Sequence, residues 1–440
     1  MSQTRDLTEG RVPRQMLRFF FPMLLTNLLQ QLYAVADTAI VGRGGGDGAL
    51  AAVGNMAPVS LLIIGFSTGM TSGFSVPIAQ RFGARDDAAL RGAIASSVRL
   101  ALLLCAGLTA AGLLGLRGAM IVMQTAESIL EESLRYGWII VGGLAVTVAY
   151  NLCACILRAL GDSRTPLIAI VASSAVNIAL DAICIFALKM GVESAAMATI
   201  AAQGVSALIC FARLRQIEAV RLTRADFRLQ AQTDALLLRN GLPMALMNSV
   251  TGVGDMTVQS AVNSLGVSYT SAYAVCGRYL NLFMLPGITA SFALSSFVGQ
   301  NAGAGKRARI REGVRVGCAI AAVSAALLGS TMLLFPTQLS AFMLSGEETI
   351  ALCAGYLRIC GAALILLNLM FVFRGSVQGL GRPVVPMVSG LLEMALRIGV
   401  IALFLPRLGF TIAAVANVIA WVGALSLNAG AYVRLMRARR

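Results

Sequence analysis

Long apolar runs separated by short polar breaks fill this chain of 440 residues. Twelve of them stand out, at about 15–40, 50–78, 93–116, 135–157, 166–188, 192–212, 236–262, 278–299, 314–343, 351–373, 384–406 and 409–433. Roughly 20 apolar residues in a helix cross a bilayer core of about 30 Å, so each run is long enough to span. The pattern predicts an all-α membrane protein with twelve transmembrane helices. The first run carries Pro22, Asn27 and Asp37 and lacks a small-residue cleavage site. It therefore reads as a span rather than a cleaved signal peptide.

The polar breaks repeat. Gln80, Gly83 and Arg91 recur as Gln300, Gly303 and Arg311, each 220 positions later. Gly161 and Pro166 recur as Gly381 and Pro386 at the same offset, and Pro22-Met23 is answered by Pro243-Met244. A duplicated membrane chain predicts two pseudo-symmetric six-helix bundles. The expected division is an N-terminal lobe at 1–212, a cytoplasmic linker at 213–235 and a C-terminal lobe at 236–440. The linker is the longest polar stretch and could hold a surface-lying helix.

Composition supports the class: 58% hydrophobic, 12% charged, mean hydropathy +0.80. So few charges could not cover a soluble protein of this length. With the N-terminus placed inside, 26 Lys and Arg fall in inner segments and seven in outer ones. This asymmetry predicts both termini in the cytoplasm and insertion in the inner, plasma membrane. The net charge of +15 then sets topology and meets anionic lipid headgroups, and no nucleic-acid partner is expected. Of nine cysteines, eight lie in apolar runs and Cys276 just before one, and all read as small core residues. The chain has no histidine and no Walker A motif, so neither an enzyme nor an ATP-driven pump is expected, and no cofactor.

Four acids fall inside spans: Asp37, Asp181, Asp255 and Glu393. A charge at bilayer depth costs at least ~2.5–3.5 kcal/mol, which makes each a functional candidate. Asn177 precedes Asp181 by four residues, so both side chains share one helix face. They can hold a small hard cation or cradle a proton carrier. Asp37 closes the first span, either as a site residue or as a cap. Pro22 in the same span permits a bend. Glu393 and Arg397, spaced i, i+4, read as an internal ion pair. Arg397 stands 220 residues after Asn177. Asp255 lies in a small-residue stretch suited to close packing or cavity lining.

Several of these segments resemble the multidrug and toxic compound extrusion (MATE) transporters. They are 35–42 in the first span, 79–86, the 158–166 loop, the Asn177/Asp181 pair and 195–199 in the sixth span. The resemblance implies two six-helix lobes around a central cavity, and export of organic, often cationic, compounds in exchange for H⁺ or Na⁺ by alternating access. It is closest to the branch with an N-lobe cation site, whose pattern matches Asp37, Asn177, Asp181 and Thr199 and makes them the expected proton or Na⁺ ligands. Tyr33, Tyr136 and Asn151 fall where that branch has polar cavity residues. The branch with an acid in the tenth span is not matched, since 364–371 carries none. Asp255, Glu393 and Arg397 remain the polar candidates of the second lobe.

Two carboxylates in one low-dielectric pocket cannot both stay ionised without a shared proton or a captured cation. The expected mechanism is a cation-coupled antiporter, working as a monomer. Ion uptake by Asp37 and Asp181 bends the first helix at Pro22 and disfavours the bound compound. A flippase for a lipid-linked precursor, of the same superfamily, is the alternative.

Overall fold

The computed structural model describes residues 6–437, with the side chains of 44–47, 49, 50, 253 and 406 outside that description. Arg5, Arg439 and Arg440, counted above among the inner charges, also lie outside the described residues. The described residues are helical throughout, with no strand. In chain order the helices are α1 (Val12–Gly83), α2 (Asp87–Val122), α3 (Glu127–Gly142), α4 (Leu144–Ala159), α5 (Arg164–Asp181) and α6 (Glu193–Arg215). They continue with α7 (Ala231–Asn263), α8 (Val267–Phe283), α9 (Leu285–Gly303), α10 (Arg307–Leu334), α11 (Pro336–Met343), α12 (Glu347–Ala362), α13 (Leu364–Gly379), α14 (Val384–Leu408) and α15 (Thr411–Arg437).

Among the described residues, nine helical stretches are long and apolar enough to cross a bilayer, and eleven if two bent pairs each count once. The twelfth expected span is α7. Its 33 residues suffice for length at about 1.5 Å per residue. Asn248, Ser249, Thr251, Asp255 and Thr257 make it the most polar span of the set. The glycine-rich stretch at 42–46, in the break between the first two apolar runs, has helical backbone inside α1, and the two spans of that helix are Val12–Arg43 and Ala51–Gly83. The surface helix considered for the linker is two short 3-10 turns, Glu218–Val220 and Arg224–Phe227.

The duplication is visible in the backbone. The fourth span bends by 45° between α3 and α4, and the tenth by 51° between α12 and α13. The breaks fall at Gly143 and Ala363, 220 residues apart, and each is closed by a 3-10 type bond, Val146 N–H to Gly143 O and Leu366 N–H to Ala363 O. The loops before α5 and α14 turn through left-handed glycines, Gly161 (φ 82°) and Gly381 (φ 76°). A side chain there would be strained, which accounts for the repeated glycine. Asp162 completes the first of these loops. Its carboxylate accepts the Arg164 and Thr165 backbone N–H groups at 3.0 Å each, the unsatisfied donors of the α5 N-terminus.

The chain divides into two compact units. Unit 1 comprises Asp6 and Phe21–Ala245, and unit 2 comprises Leu7–Phe20 and the chain from Leu246 onward. Both divisions fall inside a helix and beside a proline: Pro22 in α1 and Pro243 in α7. Unit 1 is built around Phe74, Ile78, Leu90, Ile94, Leu157 and Leu237. Unit 2 is built around Val262, Met332, Cys353, Leu357, Leu364 and Trp421. Small residues set the closest helix approaches. A β-carbon on Gly375 of α13 would stand 2.1 Å from the Ser291 carbonyl of α9.

The repeated polar loops have a common task within their units. In unit 2, Gln300 accepts the Leu7 N–H at 2.9 Å, and Lys306 and Arg309 donate to the Thr8 and Gly10 carbonyls, so the segment entering α1 is held at its backbone. In unit 1, Arg81 donates to Thr233, while Arg99 donates to the Phe227 carbonyl and grips Asp234 at 2.6 Å, holding the segment entering α7. Arg99, which falls within the apolar run at 93–116, is therefore an anchor for the connector.

Candidate functional site

The candidate site of unit 1 is assembled from α1, α3, α5 and α6. Asn177 and Asp181 sit on the buried face of α5 and are both 0% exposed. Asp181 ends the α-helical run, and Ala182–Ala187 continues as a π-helical turn. Such turns redirect the carbonyls and side chains around them and recur at functional positions. Asn177 and Asp181, one helical turn apart, are joined directly. The Asn177 amide donates to Asp181 Oδ2 at 2.7 Å while its oxygen accepts the Thr199 N–H of α6 at 3.3 Å. In this state Asn177 orients the carboxyl instead of offering its oxygen to a cation.

Asp37 of α1 is half-buried, and its carboxyl lies within hydrogen-bonding reach of the Asp181 carboxyl. That contact requires a proton between them or a cation beside them, because two ionised carboxylates repel. Each carboxyl keeps one oxygen, Oδ1, that is buried and has no protein donor. Among the described residues no basic side chain pairs with either acid. Tyr33, one turn before Asp37, is in hydrogen-bonding reach of the Thr199 side chain. Tyr136 of α3 is an electrostatic neighbour of Asp37, Tyr33 and Asp181. Val41, Ala52, Ile185, Val192 and Ala195 form an apolar cluster against Tyr136. The structure therefore gathers Tyr33, Asp37, Tyr136, Asn177, Asp181 and Thr199.

Asn151 stands elsewhere on α4 and donates to Thr68 of α1 at 3.4 Å. Pro22 lies further along α1, and the Thr26 hydroxyl donates to its carbonyl at 2.8 Å. Proline cannot donate to the preceding turn, and a threonine bonded back to the helix favours a bend, so both weaken α1 at this point. No group of three or more His, Cys, Asp or Glu side chains among the described residues could hold a metal ion. A pair of carboxyls with neutral neighbours suits a proton or a monovalent cation better than a divalent one.

Unit 2 holds a different charged cluster. The Glu393–Arg397 pair of α14 is present at 3.1 Å. Glu393 also accepts from Arg374 of α13 at 2.9 Å, and Arg397 donates through its other nitrogen to Asp255 of α7. Arg374 is buried and lies over the Phe371 ring, 5.5 Å from its centre. In the sequence Arg374 stands just past the tenth apolar run, 351–373, where a loop is expected. The duplication carried the missed signal, because its counterpart Ala154 lies well before the Gly161 turn. An arginine at 374 is accordingly inside the helix.

A duplicated set of six spans with buried acids in each half defines a polytopic secondary transporter. A family model for MatE matches residues 22–183 and 243–403, so both halves are recognised. The chain belongs to the MatE family of multidrug efflux transporters. Its named relatives include multidrug resistance proteins and a transporter. "Probable multidrug resistance protein YpnP" of Bacillus subtilis is 29% identical over 92% of this chain and 91% of its own length. "FAD transporter" of Shewanella oneidensis is 23% identical over 90% and 88%. Among solved structures, a MOP superfamily transporter from Pyrococcus furiosus superposes with a TM-score of 0.91 at 24% identity, over 100% of this chain and 98% of that one. A MATE structure in a bent conformation gives 0.91 and one in a straight conformation 0.90, at the same identity and coverage. These likenesses establish the twelve-helix, two-lobe fold.

Proposed function

We propose that this protein is a secondary antiporter that expels organic, cationic or amphipathic compounds in exchange for H⁺ or Na⁺. The observation that carries the reading is the Asp37–Asp181 contact, two buried carboxyls brought together with no base beside them. A scaffold has no use for that cost, whereas a carrier of a small cation needs it. Asn177 fixes the orientation of Asp181. Tyr33, Thr199 and Tyr136 supply polar groups around the pair. The acids come from different helices, so the ion ties α1 to α5 when present and releases α1 when absent. Pro22 and Thr26 give α1 a place to change shape. Structural neighbours recorded in a bent and in a straight conformation support a fold with more than one shape. Coupling follows if the expelled compound favours one shape and the ion the other. The basic residues of the inner loops support a plasma-membrane protein with both termini in the cytoplasm.

Proteoliposomes test this directly. With ethidium or norfloxacin as cargo, an imposed pH or Na⁺ gradient is expected to drive accumulation, and its collapse to stop it. Flavin adenine dinucleotide is the second cargo to try, given the name of the Shewanella relative. Accumulation that ignores both gradients contradicts the antiport reading.

A further inference from the structure

The two halves link corresponding helices in different ways. The first span of each half is α1 or α7, and the fifth is α5 or α14. In unit 1, Asp37 of α1 meets Asp181 of α5, and this link is complete only with a proton or cation added. In unit 2, Asp255 of α7 meets Arg397 of α14, and this link is complete as it stands. Arg397 occupies the position 220 residues after Asn177, the residue that orients Asp181. Pro22 and Pro243 set an offset of 221 in this pair of helices, so Asp255 corresponds to Ala34, three residues before Asp37. Both positions are exposed, the Asp255 side chain at 60%. Arg374, Glu393, Arg397 and Asp255 together carry two positive and two negative charges, so this cluster is neutral without any ion. The unit 1 pair carries acids alone.

We infer that unit 2 holds a self-occupied cation site, in which the Arg397 guanidinium is a tethered substitute for the exchangeable ion of unit 1. The inference rests on the antiport reading of Asp37 and Asp181, and it adds that the chain has one exchangeable ion site instead of two. Arg397 cannot leave, so α7 stays fastened to α14 through the transport cycle while α1 is fastened and released. Glu393 holds Arg397 in place from the same helix, and Arg374 holds Glu393 from α13. The duplicated fold thus divides its labour between a moving half and an anchored half.

Hydrogen exchange on the purified full-length protein tests this, with Na⁺ varied at fixed pH and, in a second arm, pH varied with correction for intrinsic rates. In the wild type, amides of α1 around Asp37 and of α5 around Asp181 are expected to gain protection with the ion by roughly 5–150-fold, the usual span of coupling between sites. Amides of α7 around Asp255 are expected to stay unchanged. Arg397→Asn, which restores the residue of the first half, is expected to make α7 protection ion-dependent, and Arg397→Lys to leave it independent. Ion dependence of α7 in the wild type overturns the inference, whether or not the variants fold. So does an ion-independent α7 in a folded Arg397→Asn protein. No ion response in α1 and α5 overturns the reading of unit 1, and the inference with it.

Discussion

Replacing Asp181 by Asn is expected to lower gradient-driven export by roughly 5–150-fold, the range that a coupling free energy of about 1–3 kcal/mol supplies. The fold should survive. Asparagine has nearly the same shape, and its oxygen can still accept from the Asn177 amide that now bonds Asp181 at 2.7 Å. What is lost is the second ionisable group. Asp37 alone, half-buried beside a neutral amide, has no partner with which to share a proton or clasp a cation. Asp37→Asn is expected to give the same phenotype. The double variant should be scarcely worse than either single one, because the two acids act as one unit. Export in vesicles under an imposed gradient gives the measurement, with downhill flux as the control. Additive losses would mean that the two acids work separately.

The second large effect concerns stability. Glu393→Gln is expected to destabilise unit 2 by about 3–5 kcal/mol, the usual cost of removing one partner from a buried ion pair. Glu393 sits between two arginines whose side chains are 9% and 11% exposed, and its loss leaves both charges without their shared acid. Arg397→Gln should cost less. Glu393 then keeps Arg374 at 2.9 Å, and the acid set free is Asp255, which is well exposed. From the sequence alone Glu393 and Arg397 are each other's partner, and a single change at Arg397 is expected to cost more than changing both, because it strands a buried acid. Changing Arg374, Glu393 and Arg397 together to Met should recover much of the loss, because a packed apolar cluster can replace a buried ion network. Thermal unfolding in detergent, followed by loss of monodisperse protein, ranks the three. A variant at Arg397 less stable than the one at Glu393 would contradict the network as described.

Much of the fold was legible because membrane insertion writes itself in composition. The number and order of the spans, the 220-residue repeat and the two bundles follow from runs of apolar residues and from glycines that must adopt left-handed backbone; the ends do not, since the eighth run at 278–299 lies in a helical stretch that spans Val267–Gly303. The acid pair was half legible. The spacing of Asn177 and Asp181 put them on one face, but nothing local in 22–43 says that Asp37 reaches that face. That came from resemblance, and the structure brings the two carboxyls together. Three features were hidden for physical reasons. The π-helical turn after Asp181 depends on tertiary packing that no periodicity reports. The orientation of the Asn177 amide, as donor to Asp181, follows from the Thr199 N–H on another helix. Arg374 was misplaced because a charge at the end of an apolar run usually marks the membrane surface. Here Glu393 from α14 satisfies it inside. Arg99 shows the reverse error, an apparent intramembrane charge that fastens the connector.

Ion release on substrate binding is the measurement closest to the shared acid pair. Purified protein loaded with H⁺ or Na⁺ is mixed with a transported compound in weakly buffered detergent solution, and the freed ion is counted per chain. Wild type is expected to release about one ion, since a coupled pair of acids gives up its cation as a unit. Asp37→Asn and Asp181→Asn are each expected to release none while still binding the compound. Undiminished release from either variant would place the exchanged ion away from these two carboxyls.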